Sequence, residues 1–148
     1  MGHWGVKSYE NDDANDALDA GFDRVHGEQY DELMDDRNPL TYEQVQQRLA
    51  DSRTFEASID ALWDLVGREN APEAWDDLAR LALAGVVVRY AELKVPIPEE
   101  WRLRAIEWLE HEEIDWDEAT LRRLRRQKEV DLLRGAARMT SPDRGPGK

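Results

Sequence analysis

The sequence predicts an all-α fold, a single-domain bundle of five to seven helices around a buried central helix at about residues 72–93. Three observations predict it. Within the stretch Trp75–Leu93, eight positions in a row, Leu81 to Val88, carry no polar side chain, and a helix that is apolar all round is a buried one. No segment alternates apolar and polar residues over the length of a strand. Helix-start signals recur along the chain. At 148 residues the chain has the length of one domain with a real core, expected at 1–139 and followed by a disordered tail at 140–148. That tail, SPDRGPGK with its leading Thr140, is rich in Pro and Gly.

The elements follow in order. Asn11 suits a helix cap, because its side chain accepts from orphan amides. In the helix behind it, Ala14, Ala17, Leu18, Gly21, Phe22 and Val25 fall on one face. At 100° per residue, Asp12, Asp16, Asp19 and Asp23 line the opposite face. Residues 29–36 suggest a short helix with Tyr30, Leu33 and Met34. Thr41 and Gln44 have capping-box spacing, with Leu40 and Val45 placed as a hydrophobic staple, for a helix to about Ala50. Thr54 is the expected cap of the next helix, whose face is Phe55, Ile59, Leu62, Trp63 and Val66 and whose end is Gly67. Asn70 and Glu73 repeat the capping-box spacing, with Pro72 in the first turn, and so start the central helix. Its thin middle of Ala82, Ala84 and Gly85 predicts close approach of neighbouring helices; Gly85 costs about 1 kcal/mol against Ala and so needs a packing reason. Pro96 and Pro98 separate it from a helix burying Trp101, Ala105, Trp108 and Leu109. Asp115 and Glu118 suggest a last capping box, and the last helix, reaching Arg134 or beyond Gly135, is expected to bury Leu121, Leu124 and Leu132 with Arg122, Arg123 and Arg126 off that face.

Composition narrows the function. With no cysteine, disulfides, zinc–thiolate sites and thiol nucleophiles are excluded. The opening lacks the basic-then-apolar pattern of a signal peptide, and the eight-residue apolar run is far short of a membrane span, so a cytoplasmic protein is expected. Net charge is −13 and uneven: residues 1–36 carry 11 acidic and 2 basic side chains, residues 114–148 carry 6 and 9. The overall sign argues against nucleic acid and anionic membranes as partners and permits a basic protein. Phosphate-binding glycine motifs, H-E-x-x-H and a nucleophile elbow are absent, and no cofactor is expected. The oligomeric state stays open.

The opening residues Gly2, Trp4, Gly5, Tyr9, Asn11, Asp12, Ala14 and Asp16 carry a pattern, M-G-x-W-G, an aromatic, then N-D-x-A and an Asp in the first helix. It resembles a group of small uncharacterised bacterial proteins; Lys7 and Ser8 stand where those usually have a Gly. The resemblance covers about 20 residues, more loosely the central helix. It implies a helical bacterial protein without an established activity, and through some relatives an immunity-type role in toxin systems.

The candidate site is the aspartate face, Asp12, Asp16, Asp19 and Asp23, with Trp4 and Asn11 beside it. Asp pairs at i, i+4 repel by about a few tenths of a kcal/mol, and only the first two gain from the helix start. A solvated acidic face, a contact for a basic partner, and a site for magnesium or calcium all fit the residue type. Trp4 and Asn11 also fit packing and capping. An interaction module that binds a basic partner, of the kind that neutralises a toxin, is the leading expectation, and a divalent-metal-dependent hydrolase on the same aspartates is the alternative. His111 with Glu112, Glu113 and Asp115 sits at a helix end where the dipole alone favours histidine. The run Arg122–Lys128 lacks aromatics to stack bases; it is expected to pair with the acidic amino-terminal third, with a steep loss of stability on adding salt. An exposed Trp108 or Trp116 would mark a contact patch.

Overall fold

The computed structural model describes residues 8–35, 37–112 and 119–140. Among them are seven α-helices, one 3-10 turn and no strand: α1 (Asp12–His26), α2 (Glu28–Leu33), α3 (Tyr42–Leu49), α4 (Ser52–Val66), a 3-10 turn at Pro72–Ala74, α5 (Asp77–Glu92), α6 (Glu99–Glu110) and α7 (Ala119–Thr140). The all-α bundle is the observed fold. Trp4, Trp116, the Asp115–Glu118 box and residues 141–148 lie outside the described residues; Thr140, placed by the sequence in a tail at 140–148, is the last residue of α7.

Helix α5 is the centre. Residues 82 to 88 are all buried, as are Ala79, Tyr90 and Ala91, while Leu81 is half-buried. Helices α1, α4, α6 and α7 all pack on it. Each fully buried Val or Leu contributes about 1.5–3 kcal/mol relative to exposure. The helix begins later than the Asn70–Glu73 spacing suggests. Trp75 turns into the core in extended backbone, and the Asp76 carboxylate caps the helix by accepting from the Ala79 amide at 2.9 Å. Pro72 and its neighbours form the 3-10 turn instead.

Local signals otherwise translate directly. Asn11 caps α1, accepting from Ala14 N at 2.9 Å. Thr41 and Gln44 close their reciprocal box at the start of α3. At α4 the cap is Asp51; Thr54 is its partner three residues on, each side chain bonding the other's amide. Gly67 ends α4 at a φ of 113°. Helix α2 is a short piece that stops at Leu33.

Two glycines set the closest approaches. At Gly21 an added Cβ would lie 2.0 Å from Ser58 Oγ and 2.8 Å from Thr54 O, so α1 lies directly on α4. At Gly85 it would lie 2.4 Å from the Ser8 carbonyl oxygen. The packing reason for Gly85 is therefore the backbone that leads into α1, not a neighbouring helix.

Helix α7 reverses the expected face. Leu121 and Leu124 are 54% and 62% exposed, Leu132 is half-buried, and the inward residues are Arg122, Glu129, Val130 and Leu133. Arg122 can be buried because its guanidinium finds two carboxylates inside; Leu121 and Leu124 lie off that line. The helix also runs through Gly135, where a Cβ would meet nothing within 4 Å, to Thr140.

Candidate functional site

The inner face of α1, with Ala14, Ala17, Leu18, Gly21 and Phe22 all buried, fixes the rotation of the helix. Asp12, Asp16, Asp19 and Asp23 must then face outward, and all four are exposed. The structure thus brings the four together as one ridge. Only Asp19 has a side-chain partner among the described residues, the Tyr30 hydroxyl, which donates to it. Burial, then this bond, pushes the Tyr30 phenol far above its ordinary value. Asp12, Asp16 and Asp23 make no ion pair with a described residue. Glu28, Asp31 and Glu32 of α2 are exposed as well and extend the negative surface.

Asn11 lies behind the ridge rather than on it. It is buried, its Oδ1 accepts from Ala14 N, and its Nδ2 donates to Ser8 O at 2.6 Å. It ties the lead-in to the helix. Among the described residues no group of three or more carboxylates and histidines could hold a metal ion. Four aspartates on one convex helix face do not wrap a hard cation, which takes six or more oxygens.

On the flank of α1 nearest Asp13, a surface cavity of about 390 Å³ is lined by Leu65, Val66, Trp75 and Leu78. Leu65 and Leu78 are 55% and 44% exposed there, in a cavity of mixed character whose polar lining includes Asp13, Asn70 and Asp76.

The positive charge is spent elsewhere. Glu129 is buried, and its carboxylate accepts from Ser8 N at 2.8 Å, Ser8 Oγ at 2.9 Å and Arg122 at 3.0 Å. Arg122 also grips Glu112 through Nε at 3.1 Å and its terminal nitrogen at 2.7 Å. Arg125 bridges Glu129 and Glu92. Glu92 accepts from Arg89 at 3.0 Å and from the Tyr9 hydroxyl at 2.9 Å. Arg89 donates to Gln46 at 2.7 Å. Three guanidiniums thus meet three carboxylates in one internal seam, and buried charge of this kind is tolerable only when paired. Burial opposes the charge on Arg122, but Glu112 and Glu129 outweigh it and hold the guanidinium above its ordinary value. Burial first, then Glu92, raises the Tyr9 phenol. Arg126 donates to the Leu109 and Glu112 carbonyls and so caps α6.

Within the basic run Arg122 and Arg125 turn inward, and among the described residues their ion-pair partners are Glu92, Glu112 and Glu129 rather than carboxylates of the amino-terminal third; Arg123 and Lys128 are exposed. Sequence reasoning passed over Ser8, Glu92 and Glu129. The one available signal was the spacing of Glu129, seven residues after Arg122 and next to Val130, on the line to Leu133. The two described histidines form no triad among the described residues: His26 Nε2 donates to Leu49 O at 2.9 Å, and His111 Nδ1 to Glu107 O at 2.9 Å.

No family model, curated protein or solved structure matches the chain.

Proposed function

We propose that the protein is a small acidic protein–protein interaction module that binds a basic protein partner through the α1 ridge of Asp12, Asp16, Asp19 and Asp23. The observation that carries this reading is the division of charge. Arg89, Arg122 and Arg125 are turned against Glu92, Glu112 and Glu129, while Asp12, Asp16 and Asp23 make no ion pair with a described residue. Exposed like charges steer an oppositely charged partner and raise its association rate. The exposed side chains of Leu65 and Leu78 supply the apolar contacts that set the lifetime of such a complex. A toxin to be neutralised is the form of basic partner that the opening motif suggests.

The test uses the whole chain and its Asp16→Lys/Asp23→Lys variant as baits in extract of the native cell. These two positions are exposed and unpaired, so the cap at Asn11 and the Tyr30–Asp19 bond stay intact. A basic protein held by the parent chain and lost from the folded variant is the expected result. Recovery of the same proteins by both baits rejects the ridge as the contact.

A further inference from the structure

Four tryptophans from three parts of the chain form a contiguous cluster. Trp63 meets Trp75 and Trp101 edge to face at 6.0 and 6.3 Å, and Trp75 meets Trp108 at 6.1 Å. Trp63 and Trp75 both donate their indole N–H to the Asn70 carbonyl, at 3.0 and 3.2 Å. Three guanidiniums lie over its rings: Arg68 on Trp63, Arg104 on Trp101 and Arg80 on Trp108, at 5.7, 5.2 and 5.3 Å.

The three arginines differ in one respect. Arg68 is paired with Asp60 and Asp64, and Arg104 with Glu73 at 2.8 Å. Arg80 makes no ion pair with a described residue. Its one hydrogen bond is to the Glu73 carbonyl at 2.9 Å, and its Nε is a buried nitrogen left without a partner. A half-buried cation without an anion is costly. Beside it opens a cavity of about 430 Å³, lined by Glu73, Arg80, Arg104, Glu107, Trp108 and His111.

We propose that this cavity is a binding site for a small monocarboxylate, whose charge would neutralise the Arg80 guanidinium and whose body would lie along Trp108. The charge on the walls decides the class. Arg104 and Glu73 pair with each other, and Arg80 is the guanidinium of the lining that has no ion pair with a described residue. Glu107, itself exposed, lines the same cavity, makes the formal charge of the lining zero and so opposes a surplus of negative charge. A dianion such as phosphate adds two negative charges beside Glu107, whereas a monocarboxylate adds one. The planar fork of arginine also matches a carboxylate. The site lies on α5 and α6, away from the α1 ridge, and stands or falls independently of the proposed contact.

The experiment is a titration of the ¹⁵N-labelled full chain with sodium benzoate at pH 7.5, with ionic strength held constant by sodium chloride and a parallel titration with sodium phosphate. The indole resonances are assigned through Trp108→Phe. A saturable shift of the Trp108 indole is expected, weakened about tenfold or more in Arg80→Gln, the scale of losing a charge-assisted hydrogen bond. If Arg80→Gln does not fold, Arg80→Lys, which keeps the charge but loses the fork, carries the comparison, again with weaker binding expected. The proposal is overturned by the absence of a saturable Trp108 shift, by unchanged binding in the folded variant, or by phosphate binding more tightly than benzoate.

Discussion

Gly85→Ala separates helix propensity from packing, because the two predict opposite signs. Gly85 lies in the middle of α5, where alanine gains about 1 kcal/mol in a free helix. Here the added Cβ would stand 2.4 Å from the Ser8 carbonyl oxygen and 2.7 Å from both the Ser8 carbonyl carbon and Tyr9 Cα. All three are backbone atoms, and no side-chain rotation relieves the clash. The lead-in must move, yet it is held by two bonds from Ser8 to the Glu129 carboxylate and one from Asn11 to Ser8 O. Overpacking costs about 1–3 kcal/mol, and each lost hydrogen bond to a charged group about 1.5–3 kcal/mol. After the propensity gain, a net loss of about 4 kcal/mol is expected, a large share of a typical 5–15 kcal/mol total. Urea denaturation followed by tryptophan fluorescence reads it as a lower midpoint at unchanged slope. In a Glu129→Gln background the loss should shrink, since both changes break the same contact. A Gly85→Ala chain as stable as the parent would refute the close approach of lead-in and helix.

Further consequences concern charge. All four tyrosines, Tyr9, Tyr30, Tyr42 and Tyr90, have their phenols raised, chiefly by burial, Tyr90 up to about 12. A raised folded value means stability that is complete below the ordinary value of 10.0 and is lost as pH rises through the folded value. For Tyr90 alone this amounts to roughly 3 kcal/mol. Absorbance at alkaline pH should show the phenols of Tyr9, Tyr30 and Tyr90 un-ionised at pH 10 in the folded chain; ionisation of all four tyrosines at the ordinary value contradicts it. Arg122→Ala removes the shorter of the two guanidinium contacts of buried Glu129, leaving it Arg125 and Ser8, and strips Glu112 of its partner; it should cost about 3 kcal/mol in urea, whereas Arg123→Ala, on the exposed side of the same helix, should stay within about 0.5 kcal/mol; equal effects would contradict the inward orientation of Arg122. The pairs of the internal seam are shielded from salt while the exposed ridge repels itself, so raising sodium chloride from about 0.05 to about 0.5 M should hold or raise the melting temperature. A fall of several degrees would restore the pairing between α7 and the amino-terminal third.

Much of the fold was legible because its signals are local. Asn11, Thr41 with Gln44, and Gly67 act on amides within a few residues, and the α1 face and the run Leu81–Val88 need only a period or a length. The acidic ridge was legible for the same reason: once Ala14, Leu18 and Phe22 point inward, Asp12 to Asp23 cannot. The misreadings needed distant partners. The Asn70–Glu73 spacing met the capping rule, but burial of Trp75 moved the helix start to Asp77. A count of leucines cannot register that Glu112 and the Ser8 amide wait to satisfy Arg122 and Glu129. Gly85 announced a close approach without saying to what. The unpaired Arg80 showed no signal, since pairing depends on which carboxylates reach it in three dimensions.

Which side of α7 is buried governs where the positive charge goes, and so whether the α1 ridge stands uncompensated. The chain has no cysteine, so a single introduced thiol can be read without background. Leu124→Cys and Val130→Cys, reacted with a thiol-specific reagent at neutral pH, measure it directly. The account predicts that position 124 reacts as fast as in the urea-unfolded chain and that position 130 is slowed by roughly a hundredfold or more, reacting only on opening. A protected position 124 beside a freely reactive position 130 would put the leucines inside and the arginines out, and would contradict it.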